Sequence, residues 1–185
     1  PTLVSQDAQR IKAFMEELGG EMIIKPVDGH GGFGIFYGHR DDRNMNSLIE
    51  TMTHEGREPI IAQGSIPEVR LGDKRLLVLN GAPLGGTLRV PRADEHRGNI
   101  HVGGTCVKAD ITPRDDEICR EVGPRLRQEG LYFVGLDIIG DYLTEVNVTS
   151  PTGIQEINAL NGVKLEAHVI DFVEQQVEEQ RRIRQ

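Results

Sequence analysis

Three polar side chains interrupt two neighbouring apolar segments in the second half of the chain, and their types suit a metal ion. Asp137 lies within residues 133–139, and Glu145 and Asn147 lie within residues 142–148. Carboxylate and amide oxygens are the hard ligands that Mg²⁺ takes, with water and substrate phosphates completing its shell. The pattern predicts chemistry on nucleotide phosphates. A hairpin with a solvated polar face is the alternative interpretation.

The elements that must position these ligands are two strands joined near Gly140. Side chains alternate between faces along a strand, so the two ligands of the second strand lie together. A two-residue loop, Gly140-Asp141, would pair residue 137 with residue 144 and put the two carboxylates on opposite faces. A loop of odd length centred on Gly140 puts all three ligands on one face. We predict the odd loop.

A glycine loop, residues 28–34, is a second candidate site and lies between a predicted strand at 21–26 and a short strand at 34–38. It matches G-x-G-x-x-G, but β-type residues follow it where a dinucleotide-binding fold requires a helix. Strand–glycine loop–strand geometry lets backbone N–H groups approach phosphate oxygens, with Lys25 as their cation. The alternative is a tight-turn hairpin whose lysine extends into solvent.

Two arginines, Arg75 and Arg89, lie on predicted strands that flank Asn80-Gly81, a strong hairpin signal. A charge that points inward from such strands needs a partner. A transferring phosphoryl group or a substrate carboxylate would provide one. Surface salt bridges are the alternative.

The remaining segments predict a chain that mixes helices and strands. Residues 91–110 are polar and glycine-containing without periodicity, which is typical of a functional loop or lid and equally of a disordered surface loop. The apolar spacing and caps predict helices ending near 18, at 44–54, at 113–129 and from 164 to 178 or beyond, and strands at 59–63, 74–79 and 82–90.

Composition limits the classes of partner. The net charge is −8, 4% of residues are aromatic and Trp is absent, which argues against a nucleic-acid surface. No apolar run approaches the roughly 18–20 residues of a membrane span, and no signal sequence opens the chain, so we expect a cytoplasmic location. Cys106 and Cys119 are expected to be free thiols. The chain begins at Pro1, so we expect it to be part of a longer protein.

Five segments together carry a resemblance that is specific in combination and spans roughly Pro1 to Val173. They are Lys25-Pro-Val-Asp-Gly-His-Gly-Gly32, Gly72-Asp-Lys-Arg75, Arg97-Gly-Asn99 with Gly103-Gly104, Phe133-Val-Gly-Leu-Asp-Ile-Ile-Gly-Asp141 and Thr144-Glu-Val-Asn-Val-Thr-Ser-Pro-Thr152. These segments closely resemble the ATP-grasp domain of bacterial glutathione synthetase.

The resemblance implies an α+β ATP-grasp fold, in which two α+β lobes with mostly antiparallel sheets clasp ATP. Residues 1–63 would be a truncated N-terminal lobe and residues 64–185 the C-terminal lobe. The implied enzyme joins γ-glutamylcysteine to glycine through an acyl phosphate, with ATP as co-substrate and Mg²⁺, or alternatively Mn²⁺, as cofactor. The full-length protein is implied to be a homo-oligomer that binds neither nucleic acid nor a membrane.

The resemblance also assigns residues to roles. Phosphoryl and acyl-phosphate charge would be stabilised by the catalytic candidates Arg75 and Arg89, and the 91–105 loop would be a lid that excludes water. The implied metal ligands are Asp137, Glu145 and Asn147; the implied ATP contacts are Lys25, Gly31, Gly32, Gln63 near adenine and Asp73 at the ribose; the implied substrate contacts are Arg97, Asn99, Ser150 and Thr152.

The chain departs from the family pattern at several points. The family's N-terminal domain and an earlier ATP-binding lysine are absent, Thr105 stands where an arginine is common, and His30 stands where an apolar residue is expected. Two further functions therefore stay open. One is an ATP-grasp ligase for another amino-acid acceptor, and the other is a nucleotide-binding module that is inactive by itself.

Overall fold

The computed structural model describes residues 1–29, 31–91 and 104–183. The chain divides into two units, Pro1–Pro67 and Glu68–Gln185. In the described residues, nine strands and five helices form an α+β structure with one antiparallel sheet in each unit. None of these helices is both long and apolar enough to cross a bilayer.

The first unit is a four-stranded sheet with two helices packed on it. Its strand order is β1-β4-β2-β3, and its core includes Ile11, Ile24 and Ile49, which are fully buried. The elements are β1 (Thr2–Ser5), α1 (Ala8–Glu17), β2 (Glu21–Pro26), β3 (Phe36–His39), α2 (Met45–Met52) and β4 (Ile60–Gln63).

The second unit is a five-stranded sheet of order β7-β6-β5-β8-β9 with three helices. A 3₁₀ turn, Pro67–Leu71, precedes its first strand. The elements are β5 (Asp73–Leu79), β6 (Ala82–Val90), β7 (Thr105–Ala109), α3 (Pro113–Gln128), β8 (Phe133–Ile139), β9 (Tyr142–Asn147), α4 (Ile154–Asn161) and α5 (Leu165–Ile183).

Alternation along β5 gives the second sheet two different faces. Leu76 and Val78 are buried against α3, together with Ile118. Leu77 lies on the opposite face, where it packs against Ile157 of α4. Asp73 and Arg75 share the face of Leu77 because they lie four and two residues from it. Asp73 and Arg75 therefore lie at the end of the face that α4 covers in part.

Most predicted elements are confirmed, within two residues at their ends. The Asn80-Gly81 turn joins β5 to β6, and both residues have positive φ (51° and 77°), as a tight hairpin turn requires. The first helix begins after Asp7, whose side chain accepts from the N–H groups of Gln9 and Arg10.

Three elements differ from the sequence-based expectation. The interpretation of residues 91–110 as one unstructured loop is wrong at its end, because Thr105–Ala109 is strand β7. β7 is an edge strand that pairs only with β6 and is largely solvent-exposed, so it needs little apolar periodicity. Strand β1 and helix α4 are the other two differences, because no element was predicted at Thr2–Ser5 or at Ile154–Asn161.

Candidate functional site

Adjacent strands of the second sheet bring four charged residues onto one face. Arg89 of β6 lies opposite Asp73 of β5, and Asp137 of β8 lies opposite Arg75 of β5. All four are buried, with at most 9% of each residue exposed. Two aspartates and two arginines make the cluster formally neutral, which is the condition under which buried charges are tolerated.

Asp137 is the centre of this cluster. Its Oδ1 accepts from Arg75 Nε at 2.5 Å, and its Oδ2 accepts from Arg75 Nη2 at 3.0 Å, so Arg75 binds it in a fork. Arg89 Nη2 lies 3.0 Å from Oδ2, and Asn147 Nδ2 donates to the same oxygen at 3.3 Å. Removing one member of such a buried set costs about 3–5 kcal/mol, because the remaining charge loses its partner.

The β8–β9 hairpin puts the three predicted metal ligands on one face by a route different from the one expected. The predicted odd loop is wrong: Ile139 pairs with Tyr142, which leaves the two-residue loop Gly140-Asp141. A register shift after Asp137 adds one residue to β9, so that Asp137 lies opposite Glu145. The bulge therefore places Asp137 and Glu145 on the same face, which is the result that the odd loop was expected to give.

The bulge is tied to the site by a hydrogen bond. Thr144 is the extra residue of the bulge in β9. Its hydroxyl donates to the backbone carbonyl of Asp137 at 3.0 Å. The bond from Asn147 to the Asp137 carboxylate shows that these two side chains share a face. Glu145 is exposed and Asn147 is half-buried, so the ligand face is open on the β9 side.

The donor types fit Mg²⁺. Asp137 Oδ1 accepts from Arg75 Nε, and a carboxylate oxygen has two lone pairs, so a cation can still bind there. Asn147 directs its amide nitrogen at Asp137, and its amide oxygen is a further hard donor. Among the residues described, no three His, Cys, Asp or Glu side chains form a metal cluster. An incomplete oxygen set of this kind suits an ion that takes its other ligands from water and phosphates.

The Asp73–Arg89 pair has altered proton affinities. Burial, followed by the charge of Asp137, raises the pKa of Asp73 to about 6, although Arg89 opposes the shift. For Arg89, burial lowers the pKa, but the two carboxylates Asp137 and Asp73 outweigh burial and raise it. Arg89 therefore stays a cation, and Asp73 is the titratable member of the pair near neutral pH.

The residues just before α4 contact Arg75. Arg75 Nη1 donates to the backbone carbonyl of Thr152 at 3.0 Å, and a side chain added at Gly153 would meet Arg75 Cγ at 3.2 Å. Ser150 has a positive φ of 47°, which bends the chain just before this contact. The two predicted substrate residues, Ser150 and Thr152, are exposed and lie beside the cluster. The spacing of Ile154, Ile157 and Leu160 was the signal that could have revealed α4.

In the first unit, Lys25 and Gln63 lie on the face of the sheet that is turned away from its core. Lys25 pairs with Ile61, and Gln63 pairs with Ile23, whereas the alternating residues Ile24 and Ala62 are buried. Lys25 is half-buried. Gln63 Nε2 donates to the hydroxyl of Thr2 at 3.1 Å.

The glycine loop connects β2 to β3 as an antiparallel hairpin, which confirms the strand–loop–strand prediction. Gly31 and Gly32 have φ values of 62° and 80°, which side chains rarely adopt. A Cβ at Gly29 would lie 2.6 Å from Cγ of Pro26. Gly31 and Gly32 therefore present backbone without side chains, which can approach phosphate oxygens.

Several predicted residues fall outside the described part of the chain. They are His30, Arg97, Asn99 and the lid segment from residue 92 to residue 103. Thr105, at the end of the predicted lid, begins β7 and pairs with Val90. Cys106 and Cys119 are free thiols, as expected, and burial raises the pKa of Cys119 to about 11.

Comparison with known protein families gives a match over most of the chain. The model for the prokaryotic glutathione synthetase ATP-grasp domain matches residues 1–162. Glutathione synthetase from Synechococcus elongatus is 51% identical over 173 residues, which is 94% of this chain and 53% of that protein. Glutathione synthetase from Gloeobacter violaceus is 52% identical over 172 residues, 93% of this chain and 53% of that protein. The chain thus spans about half the length of these relatives.

Solved structures share the fold at low sequence identity. The ATP-grasp ligase PsnB, complexed with its minimal precursor, Mg and ADP, aligns with a TM-score of 0.66 at 19% identity over 95% of this chain and 52% of its own. A D-alanine–D-alanine ligase from Bacillus anthracis, complexed with ATP, aligns with a TM-score of 0.62 at 12% identity over 97% of this chain and 60% of its own. The fold is therefore ATP-grasp.

Proposed function

This chain belongs to the prokaryotic glutathione synthetases, whose ATP-grasp domain it contains, and we propose that the full-length protein joins γ-glutamylcysteine to glycine at the expense of ATP. The observation that carries the proposal is the face of the second sheet on which Asp137, Glu145 and Asn147 lie beside Arg75 and Arg89. Oxygen ligands and fixed cations side by side are what phosphoryl transfer to a carboxylate needs.

The proposed reaction has two steps. A cysteinyl carboxylate oxygen attacks the γ-phosphorus of ATP, the bond to ADP breaks, and an acyl phosphate forms. The neutral glycine amine then attacks the acyl carbon, phosphate leaves with one former carboxylate oxygen, and the nitrogen loses one proton to solvent as the amide forms. Arg75 and Arg89 supply positive charge beside the groups that gain negative charge, so positioning and charge stabilisation account for most of the catalysis.

Asp137, Glu145 and Asn147 are proposed to hold Mg²⁺, with Mn²⁺ as an alternative ion. The bound ion would neutralise phosphate charge during transfer. Support comes from the shared face of the three side chains and from their oxygen donors. In PsnB, the ligase of similar fold, the solved complex contains Mg and ADP.

The first unit is proposed to bind ATP. In the first unit, Lys25 and the N–H groups of Gly31 and Gly32 would bind phosphate oxygens, and Gln63 would lie near adenine. The positive φ values of the two glycines support the loop's part in this. The expectation that Asp73 binds the ribose stays a prediction.

The dipeptide and glycine are proposed to bind near Ser150 and Thr152, supported by the exposure of both residues and the contact between Thr152 and Arg75. The parts assigned to Arg97, Asn99 and the lid rest on the family resemblance. A cytoplasmic location and a homo-oligomeric state stay predictions for the full-length protein.

An ¹⁸O-transfer experiment tests whether the proposed reaction passes through an acyl phosphate. The full-length protein is given Mg-ATP, glycine and γ-glutamylcysteine labelled with ¹⁸O in its cysteinyl carboxylate. An acyl phosphate requires that one ¹⁸O appear in the released phosphate. Unlabelled phosphate would contradict the mechanism.

The two other functions give different outcomes in the same assay. An ATP-grasp ligase for another acceptor would release ADP when glycine is replaced by a different amine, and screening amino acids would identify it. A nucleotide-binding module would bind Mg-ATP without turnover. The length of the chain, about half that of its relatives, makes the second outcome relevant to the 185-residue chain tested by itself.

A further inference from the structure

The segment between β9 and α4, residues 148–153, crosses the face of the second sheet that carries the candidate site. A Cβ at Gly135 of β8 would lie 2.9 Å from Cβ of Pro151, and the carbonyl of Thr152 accepts from Arg75 of β5. In the sheet, β8 lies between β9 and β5. The segment therefore leaves the edge strand β9, passes over β8 and reaches β5 before α4 begins.

Gly135 is a glycine inside a strand, a position where this residue type weakens the strand and often marks a close approach of another part of the chain. Its φ is not positive, so the backbone conformation does not require glycine. The close approach does. Carbon atoms in contact normally lie about 3.5–4.0 Å apart, and an added Cβ would be well inside that distance from Pro151. The ring of Pro151 is closed on its own backbone and cannot rotate away.

The side chain of Arg75 uses the same free space. An added Cβ at Gly135 would lie 3.2 Å from Arg75 Cδ, and one at Gly153 would lie 3.2 Å from Arg75 Cγ. Beyond these two glycines, the guanidinium holds Asp137 and donates to the carbonyl of Thr152. A methyl group at Gly135 would therefore press on the crossing segment and on the arginine that binds it.

We propose that Gly135 is a positioning residue for the peptide substrate. Because Gly135 lacks a side chain, segment 148–153 can lie directly on the sheet, and this holds Ser150 and Thr152 beside the charged cluster. The structural part of the proposal concerns the segment alone. The effect on the substrate rests on the proposed ligase function, in which Ser150 and Thr152 border the dipeptide and glycine.

The structural part is tested without any activity, by crystal structures of the 185-residue chain and its Gly135→Ala variant. Pro151 should move away from β8 by roughly 0.5–1 Å, the distance needed to restore carbon–carbon contact. Gly86→Ala is the matched control, because Gly86 is a buried strand glycine at which an added Cβ would meet its nearest atoms at 3.6 Å. This control should leave Pro151 in place. An unmoved Pro151 in Gly135→Ala would overturn the proposal.

The functional part is tested by steady-state kinetics of the full-length protein. Gly135→Ala should raise the KM for γ-glutamylcysteine about tenfold, because small displacements of positioning groups are costly. The KM for ATP should change by less than about twofold, since the segment is not part of the proposed ATP contacts. Gly86→Ala should change neither KM. Equal rises of both KM values, or a lower kcat with both KM values retained, would contradict the proposal.

The substitution Pro151→Gly separates an effect of the segment from a general effect on β8. It removes the ring that the added methyl group would meet. In the Pro151→Gly background, Gly135→Ala should therefore have little further effect on the KM for γ-glutamylcysteine. Additive effects of the two substitutions would show that Gly135 does not act through the segment.

Two complications have defined outcomes. If Gly135→Ala does not fold, as judged by urea unfolding, Pro151→Gly carries the kinetic test from the side of the segment. It should then raise the KM for γ-glutamylcysteine and not that for ATP, and an unchanged KM for γ-glutamylcysteine would overturn the proposal. If the native full-length protein makes no glutathione, the proposed function fails. The crystal structures then still decide whether Gly135 positions segment 148–153.

Discussion

At the scale of single residues, the observed partners of Asp137 and its proposed role use the same oxygens. Asp137 pairs with Arg75 and Arg89, and it is the buried member of the proposed metal set. The arginines balance its buried charge, because a buried charge needs partners of opposite sign. A metal ion at Asp137 would use the lone pairs that these bonds leave.

The substitution Arg75→Lys tests the bidentate contact between Arg75 and Asp137. Arg75 uses three nitrogens, two on Asp137 and one on the Thr152 carbonyl, and a lysine ammonium cannot reproduce that planar geometry. We expect the free energy of unfolding to fall by about 1–3 kcal/mol, measured by urea denaturation. Arg125→Lys, at an exposed pair with Glu129, is the control and should change it by less than about 0.5 kcal/mol. Equal effects of the two substitutions would contradict this account of Arg75.

The raised pKa of Asp73 predicts that the free energy of unfolding depends on pH. Its folded pKa, about 6, lies above the ordinary 3.8, so between these values the folded chain binds more protons than the unfolded chain. The contribution of Asp73 to stability is therefore largest below pH 4, and it falls as pH rises towards 6. The groups that face it are Asp137, Arg89 and Arg75.

The measurement for this prediction compares unfolding free energies of the native chain and Asp73→Asn between pH 4 and pH 7. The native chain should lose stability relative to the variant across this range, by roughly 1–3 kcal/mol at about 1.4 kcal/mol per pKa unit. The control Asp171→Asn, at an exposed position of α5, should show no such trend. A constant difference between the native chain and Asp73→Asn would show that the pKa of Asp73 is not raised.

At the scale of elements, both hairpins of the second sheet contain a β-bulge. Each has a two-residue turn, and each has a register shift that adds one residue to its second strand. In β5–β6 the shift brings Arg89 opposite Asp73, where plain counting from the turn would have placed residue 88. In β8–β9 it brings Glu145 opposite Asp137, where counting gives residue 144. A one-residue shift exchanges the faces, so the bulges determine whether the charges meet.

These β-bulges explain what the sequence could predict and what it could not. Helix caps, strand spans and the Asn80-Gly81 turn follow from local residue types, and they are where expected. The bulges depend on packing across the sheet, which leaves no local signal. The common face of Asp137, Glu145 and Asn147 was predicted correctly, but with the wrong turn. The pairing of Asp73 with Arg89 was missed for the same reason.

Gly123 of α3 provides a test of how a helix packs on a hairpin turn. A Cβ at this position would lie 2.7 Å from the backbone oxygen of Gly81, which cannot move away as a side chain could. Alanine normally stabilises a helix relative to glycine by about 1 kcal/mol. We expect Gly123→Ala instead to lower the free energy of unfolding by about 1–3 kcal/mol.

Glu121→Ala, at an exposed position of the same helix, is the control and should be neutral or slightly stabilising. Urea denaturation of both variants measures the difference. A stabilised Gly123→Ala would mean that α3 does not approach the β5–β6 turn as closely as the structure has it.

At the scale of the whole molecule, the chain consists of two units, and each contributes one sheet face to the proposed function. The first unit offers Lys25 and a glycine loop, and the second offers the charged cluster and the metal ligands. The family match shows which fold these units form, and the low-identity structures agree with it. The central claim is that the β8–β9 hairpin binds the metal ion that accompanies ATP.

The measurement that tests this claim most directly is a calorimetric titration of the 185-residue chain with Mg-ATP, comparing the native chain with Glu145→Gln. Glu145 is exposed, so this substitution leaves the buried cluster in place, and Glu121→Gln on α3 is the matched control. We predict that Glu145→Gln weakens binding about tenfold or more, that Glu121→Gln does not, and that removing Mg²⁺ eliminates the difference. Equal Mg-ATP binding by the native chain and Glu145→Gln would contradict the account.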